Sequence, residues 1–184
     1  MSRVLLIHAS FDGQTRKIAD RVRQVLVSAG HAVTMCSAGE GEPAFAVERY
    51  DAVMVGAGIR YGHHSRALER RLRAHLAAVY ARPNGFFSVC LSAGGPGAKP
   101  ETARGYVEDF CRRTGWVPEH CTSFAGALRY RQYNPLIRLL MRFIVGMAGG
   151  ETDTSRDYEY TDWHAVEHFA AGFAAQLGPS GEIT

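Results

Sequence analysis

A short loop near the start of the chain combines hydroxyl groups with a glycine, as an anion-binding site requires. An apolar run of strand length, Val4–Ile7, precedes the loop, and a helical pattern begins near Gln14. Gly13 lets the backbone turn tightly, so that several amide N–H groups can point to one spot. That spot is a helix N-terminus, where unpaired N–H groups and the helix dipole favour an anion. The candidate binding residues are Ser10, Phe11, Asp12, Gly13, Gln14 and Thr15.

The anion that suits this loop is a monophosphate. The loop has neither the Gly-Lys-Ser/Thr of a Walker loop nor the Gly-x-Gly-x-x-Gly of a dinucleotide-binding turn. With a single glycine and no lysine, it is less suited to a triphosphate or a pyrophosphate. The alternative is an ordinary strand-to-helix turn in which Asp12 or Ser10 caps the helix.

Two later loops have the composition of a site for a flat ring. In the loop Gly58–His64, Tyr61 lies next to Gly62, and its side chain can stack on a ring. The glycine-rich loop Gly94–Gly97 lets backbone amides approach the same ring from the other side. A phosphate beside a flat heterocycle describes flavin mononucleotide (FMN). Taken singly, Tyr61 also suits a packing role.

Strand-like and helix-like segments alternate along the chain, which predicts an α/β fold with a doubly wound parallel sheet. In such sheets, ligands bind beyond the carboxyl ends of the strands, where the three loops emerge. The predicted strands are Arg3–Ala9, His31–Cys36, Asp51–Ala57, Gly85–Ser92 and Cys121–Ala127. The predicted helices of the alternating pattern are Gln14–Ala29, Ser65–Tyr80, Pro100–Thr114 and a last helix from Trp163 to about Leu177.

A long insert, Leu128–Tyr160, interrupts this alternation before the last helix. It contains a predicted helix, Leu136–Ala148, with Asn134 as cap, Pro135 at the first turn and Gly149-Gly150 at the end. The helix is apolar except for a basic stripe of Arg138 and Arg142, which Arg131 joins if the helix extends backwards. At ~1.5 Å per residue the helix spans roughly 20 Å, too short for the ~30 Å hydrocarbon core. This pattern suits a helix that lies in the membrane interface, and burial against the domain is the alternative.

Composition and charge bound the class of protein. A chain of 184 residues with 46% apolar residues fits one domain, residues 1–177, followed by a flexible tail at 178–184. Its four cysteines show neither a C-x-x-C pair nor zinc spacing, which indicates buried free thiols in a reducing compartment. His63-His64 has no further ligand at metal spacing, so we expect no metal. We expect no signal peptide, no spanning helix and no nucleic-acid partner, and we leave a homo-oligomer open.

Five segments of the chain form a specific pattern: Asp12-Gly13-Gln14-Thr15-Arg16, Gly56-Ala57-x-Ile59-Arg60-Tyr61-Gly62-His63, Gly126-Ala127-Leu128-Arg129-Tyr130, Gly149-Gly150-Glu151-Thr152-Asp153-Thr154 and Tyr160-Thr161-Asp162-Trp163. With these segments the chain resembles, nearly from end to end, the flavodoxin-like, quinone-dependent protoporphyrinogen IX oxidases of bacterial haem synthesis. The last two segments are not general features of flavodoxins. One departure lies after the fourth strand, where family members carry a more basic loop and Lys99 is the only charge here.

The resemblance implies a flavodoxin-like sheet of five strands in the order 2-1-3-4-5. It implies an FMN-dependent oxidation of protoporphyrinogen IX to protoporphyrin IX, with electrons passed to menaquinone or ubiquinone. The protein would then be cytoplasmic and peripherally associated with the inner face of the cell membrane through its 136–148 helix. The phosphate would lie at Ser10–Thr15, and the isoalloxazine ring would be held by Ile59, Arg60, Tyr61, Gly62, Ser92, Ala93, Gly94 and Gly95.

Arginines around the insert are the candidates for the substrate side, because arginine pairs with carboxylates through two hydrogen bonds. On this basis Arg60, Arg129 and Arg131 would meet the substrate's propionates, with Tyr130 among them, and alanine at Arg129 or Arg131 would leave FMN content unchanged. No catalytic base follows from the sequence. The alternatives are a soluble flavodoxin-type electron carrier or an NAD(P)H:quinone reductase. Carriers of this kind are commonly acidic, whereas this chain has a net charge of +3.

Overall fold

A parallel sheet of five strands forms the centre of the structure, a computed structural model that describes residues 1–39, 46–95, 97–132, 135–147 and 152–178. The strand order is β2-β1-β3-β4-β5, and each neighbouring pair is parallel, which confirms the predicted fold class. The strands are β1 (Arg3–Ala9), β2 (Ala32–Ser37), β3 (Ala52–Gly58), β4 (Asn84–Cys90) and β5 (His120–Ala125).

Six α-helices accompany these strands within the described residues. The predicted helix Ser65–Tyr80 is wrong in one respect, because it is broken at His75, whose backbone is not helical. At the end of the second of the two helices, the Tyr80 hydroxyl donates to the Gly115 carbonyl at 3.1 Å and accepts from the Val117 amide at 2.8 Å. The helices are α1 (Gln14–Ser28), α2 (Arg66–Ala74), α3 (Leu76–Tyr80), α4 (Pro100–Thr114), α5 (Pro135–Met147) and α6 (Trp163–Gln176).

The sheet separates two apolar clusters, as alternation along its strands requires. In β1, Val4 and Leu6 belong to the cluster that contains α1 and α6 residues, whereas Leu5 and Ile7 belong to the cluster that contains α2 and α4 residues. All four side chains are at most 2% exposed. Helices therefore cover both faces, and the carboxyl edge of the sheet is the place where loops can form a site.

Two of the predicted strands end earlier than expected at that edge. β4 ends at Cys90 instead of Ser92, because Leu91–Ala93 forms a 3-10 turn. β5 ends at Ala125 and is followed by a separate short strand, β6 (Ala127–Leu128). β6 pairs in antiparallel fashion with β7 (Tyr158–Glu159), so the insert leaves and rejoins the domain through one small ladder.

The insert helix α5 runs from Pro135 to Met147 and matches the predicted helix in place and length. The predicted cap Asn134, the terminator Gly149-Gly150 and the tail beyond Gly178 lie outside the described residues. Within the described part of the chain, no helix is long and apolar enough to cross a membrane. The cysteines are all free but not all buried: Cys90 is buried, and Cys121 is exposed.

Candidate functional site

The loop after β1 combines a buried hydroxyl with a helix start that no side chain caps among the described residues. Gly13 lies at the N-terminus of α1 with φ at +83°, a conformation that favours glycine. No side chain caps this helix, so the alternative in which Asp12 or Ser10 caps it is wrong. The Ser10 hydroxyl oxygen is buried and has no hydrogen-bond partner among the described residues. A buried hydroxyl without a partner beside an uncapped helix start fits a bound phosphate.

A cleft at the carboxyl edge of the sheet joins this loop to the loop after β3. Its wall on the β4 side is formed by Val89, Cys90 and Leu91, and it is completed after β5 by Gly126 and Ala127. These five residues were not predicted from the sequence as site residues. The predicted residues Ser92–Gly95 do not line this cleft. The complete lining is Phe11, Asp12, Gln14, Thr15, Gly58, Ile59, Arg60, Tyr61, Val89, Cys90, Leu91, Gly126 and Ala127.

The glycine-rich loop after β4 lies against the end of the insert. Gly95 has φ at +93°, and a Cβ built on it would lie 2.8 Å from Cγ of Tyr160. The Tyr160 amide donates to the Gly126 carbonyl at 3.1 Å, which joins the loop after β5 to the end of the insert. A glycine is therefore required at position 95 for a close approach of the Tyr160 ring as well as for its backbone conformation.

The loop after β3 is a tight turn that projects Tyr61 at its tip. Arg60 and His63 exchange backbone hydrogen bonds of 3.0 and 3.1 Å. The two residues between them both have positive φ, +52° at Tyr61 and +80° at Gly62, as a type I′ turn requires. Tyr61 is 75% exposed, so the alternative of a packing aromatic is wrong. An exposed ring on a strained backbone beside a cleft fits contact with a ligand.

Arg60 places a positive charge at the mouth of the cleft. Its guanidinium carbon lies 5.5 Å from the centre of the Phe11 ring and 5.3 Å from that of Tyr61. These cation–π contacts orient the side chain without neutralising it. Arg60 also lines a second cleft on the other side of the Tyr61 turn, beside Ser37 and Arg66.

The residues predicted around the start of the insert do not act as one group. Tyr130 is fully buried with Leu128 and Val145, so its prediction as a substrate-side residue is wrong. Arg131 lies in a 3-10 turn and is not part of α5, and its Nε donates to the Ser155 carbonyl at 2.9 Å. Arg129 points elsewhere and donates to the Gln14 side chain.

His64 fixes the C-terminal end of the Tyr61 turn. Its Nε2 lies 2.9 Å from the Ser88 hydroxyl, and its ring packs edge-on against Phe86 and Phe110. Burial, together with a smaller effect of the nearby charge of Arg113, lowers the pKa of His64 from 6.5 to about 4. Across the described residues, no group of three His, Cys, Asp or Glu side chains is arranged to hold a metal ion.

His64 is expected to make the stability of the protein depend on pH. The pKa of His64 is lower in the folded than in the unfolded chain, so between pH 6.5 and about 4 the unfolded chain binds a proton that the folded chain does not. The free energy of unfolding therefore has its full value from this group above pH 6.5 and decreases as the pH falls towards about 4. The loss between pH 7 and pH 4 is roughly 3 kcal/mol. Urea unfolding at several pH values should show that His64→Gln removes this part of the pH dependence. His168→Gln, at an exposed position on α6, is the matched control, and an unchanged pH profile in His64→Gln would contradict the assignment.

Comparisons with known proteins agree with the geometry. A model of the flavodoxin domain matches residues 5–155. The protoporphyrinogen IX dehydrogenase (quinone) of Escherichia coli strain K12 is 35% identical over 173 residues, which cover 94% of each chain. The Leishmania major protein of the same name is 36% identical over 174 residues, 94% of this chain and 75% of its own length.

Solved structures support the fold independently. Oxidised flavodoxin 2 from Bacillus cereus superposes with a TM-score of 0.57 at 17% identity, covering 95% of this chain and 99% of its own. A flavodoxin domain indicates a flavin cofactor, which agrees with the uncapped helix start and the open cleft beside it. With the domain match and curated relatives that align along nearly the whole chain, this protein belongs to the flavodoxin-domain family, together with the quinone-dependent protoporphyrinogen IX dehydrogenases.

Proposed function

We propose that this protein uses FMN to oxidise protoporphyrinogen IX to protoporphyrin IX and passes the electrons to a membrane quinone, menaquinone or ubiquinone. The observation that carries the proposal is the similarity to dehydrogenases of that name over 94% of the chain, insert included. The cleft supports it, because the loop after β1 with the start of α1 (Ser10–Thr15, the proposed phosphate loop) and the exposed Tyr61 lie at one edge of the sheet. The net charge of +3 favours this function over a soluble flavodoxin-type carrier.

The residues of the phosphate loop suit a monophosphate ester of a flavin. The Ser10 hydroxyl and the free amides of the first turn of α1 would hold the phosphate. Tyr61 would flank the isoalloxazine ring on the solvent side, and Cys90 and Leu91 would lie on the β4 side. When bound, FMN supplies the hydride-accepting chemistry that these side chains lack.

Arg60 is the residue best placed to receive a substrate carboxylate. It is exposed at the mouth of the cleft, and its charge is not paired with a carboxylate among the described residues. A tetrapyrrole with propionate groups can therefore meet a guanidinium before its ring system reaches the flavin.

The insert helix would bring this site to the membrane surface. Leu136, Leu139 and Phe143 are 78%, 64% and 66% exposed, and their spacing places them on one face of α5. Val145 is buried on the domain side, and the Arg138 Nε donates to the Tyr130 carbonyl at 3.0 Å. α5 is therefore anchored on one side and apolar on the other, which suits the interface of a bilayer that holds the quinone. This supports a peripheral position at the cytoplasmic face of the cell membrane.

The test is anaerobic turnover of protoporphyrinogen IX by protein loaded with FMN, followed by porphyrin fluorescence. We expect fluorescence to rise only when the protein and a menaquinone or ubiquinone analogue are both present. No rise with a reducible flavin would contradict the proposal. Rapid reduction of the flavin by NAD(P)H would then indicate a reductase, and its absence would indicate a carrier.

A further inference from the structure

Arg129 reaches from the start of the insert to the first residue of α1, the helix that follows the loop after β1. It directly follows β6, whose pairing with β7 fixes its backbone. Its Nη2 donates to the side-chain oxygen of Gln14 at 2.8 Å, across 115 positions of sequence. Gln14 is the first residue of α1 and is 5% exposed. The positive charge of Arg129 therefore lies beside the start of α1.

Gln14 is held so that its oxygen faces Arg129. Its side-chain amide nitrogen donates to the Thr161 hydroxyl at 2.9 Å. Thr161 in turn donates to the Ala125 carbonyl at 2.8 Å. This chain of bonds fixes which end of the Gln14 amide meets the guanidinium, and it ties β5, α1 and the insert together.

The guanidinium of Arg129 has bonding capacity that the protein does not use. It is half-buried, and its Nε is buried without a hydrogen-bond partner among the described residues. Over the same part of the chain it forms no ion pair with a carboxylate, and the Gln14 oxygen that it contacts is neutral. A partly buried cation with a neutral partner and an unused donor is suited to bind an anion.

The loop after β1 with the first two residues of α1, Ser10–Thr15, contains no basic side chain, and the next residue, Arg16, is exposed to solvent. Asp12 within the loop is acidic, and Lys17 on α1 is already paired with Glu159 at 2.6 Å. Arg129 supplies a cation close to the same helix start from a distant part of the sequence. We propose that Arg129 holds the phosphate group of the flavin through its guanidinium, so that flavin binding and the docking of the insert stabilise each other. This rests on the proposed function in one respect, that the flavin is FMN.

This inference replaces the sequence-based expectation that Arg129 meets the substrate and leaves FMN content unchanged. Binding of flavins with and without a phosphate distinguishes a phosphate-binding role of Arg129 from a role that only holds the insert in place. If Arg129 meets the phosphate, its loss weakens FMN but not riboflavin, which has the same ring and no phosphate. If Arg129 only secures the insert, its loss affects the two flavins equally.

The experiment measures dissociation constants for FMN and riboflavin by quenching of flavin fluorescence. We expect Arg129→Ala to weaken FMN binding roughly tenfold to a hundredfold, as the loss of a charged hydrogen bond does, and to change riboflavin binding less than about twofold. Arg129→Lys should recover part of the FMN affinity. Arg156→Ala is the matched control, because Arg156 belongs to the same insert but contacts Asp153 and Tyr158.

Equal losses for both flavins, or no loss for FMN, would overturn the phosphate role of Arg129. Riboflavin binding by Arg129→Ala shows at the same time that the variant is folded. If the unaltered protein binds neither flavin, the proposed cofactor is wrong, which is a different result from the failure of the Arg129 assignment.

A second experiment tests whether flavin binding stabilises the docked insert, by measuring the rate of tryptic cleavage after Arg142, an exposed residue of α5. FMN should slow this cleavage and riboflavin should not, and equal rates would overturn the coupling.

Discussion

Replacement of Leu136, Leu139 and Phe143 by glutamate is expected to release the protein from membranes and to abolish turnover with a membrane quinone. These three side chains form the exposed apolar face of α5. Each contributes ~1.5–3 kcal/mol when it leaves water, so each loss alone lowers membrane partitioning about tenfold or more. Glutamate adds repulsion from anionic lipid headgroups. Because Val145 holds the helix from the domain side, the substitutions should leave the fold intact.

The measurement is sedimentation with vesicles of phosphatidylcholine and phosphatidylglycerol that contain menaquinone, together with turnover in the same vesicles. Turnover with a water-soluble quinone should persist in the triple variant, since the cleft is unchanged. Val27→Glu is the matched control, because Val27 is an apolar residue 48% exposed on another helix, α1. Membrane binding that survives the triple substitution would show that α5 is not the attachment site.

A methyl group added at Gly56 is expected to destabilise the protein more than any surface change. Gly56 lies in β3 between His8 of β1 and Phe87 of β4. A Cβ built there overlaps three ring carbons of Phe87, which is fully buried. Neither neighbouring strand can move away, because each is bonded to a further strand. Overpacking typically costs ~1–3 kcal/mol, and at this central position we expect Gly56→Ala to reach or exceed the upper value.

A second substitution makes this prediction specific. Phe87→Leu removes the ring atoms that the new methyl group meets, so the double variant should be more stable than the sum of the single losses predicts. Gly105→Ala on α4 is the control, since a Cβ there meets no atom within 4 Å. That change should stabilise the helix by roughly 0.5–1 kcal/mol. Denaturant unfolding of all four variants is the measurement, and a Gly56→Ala protein as stable as the original would refute the packing argument.

The sequence by itself determined the five strands of the main sheet and most of the helices, in their order along the chain. Arg3–Ala9 and Pro100–Thr114 were predicted with the observed bounds, because strand and helix periodicity and the helix-starting proline are local properties. The features on which the proposed phosphate site depends were also local, since one glycine, two hydroxyls and the start of a helix lie within a few residues. The amphipathic character of α5 was also visible, because the spacing of apolar residues and arginines within one helix is a local property.

Tertiary structure alone decided which residues share the site. Tyr130 and Arg129 are adjacent in sequence and directly follow the β6–β7 ladder, yet the first is fully buried and the second reaches Gln14. That ladder joins Leu128 to Tyr158, and no local pattern marks a pairing between segments so far apart. The parts of the cleft contributed by Leu91 and Gly126 were missed for the same reason. Periodicity records which face of an element is apolar, whereas contacts between distant segments depend on how whole elements pack.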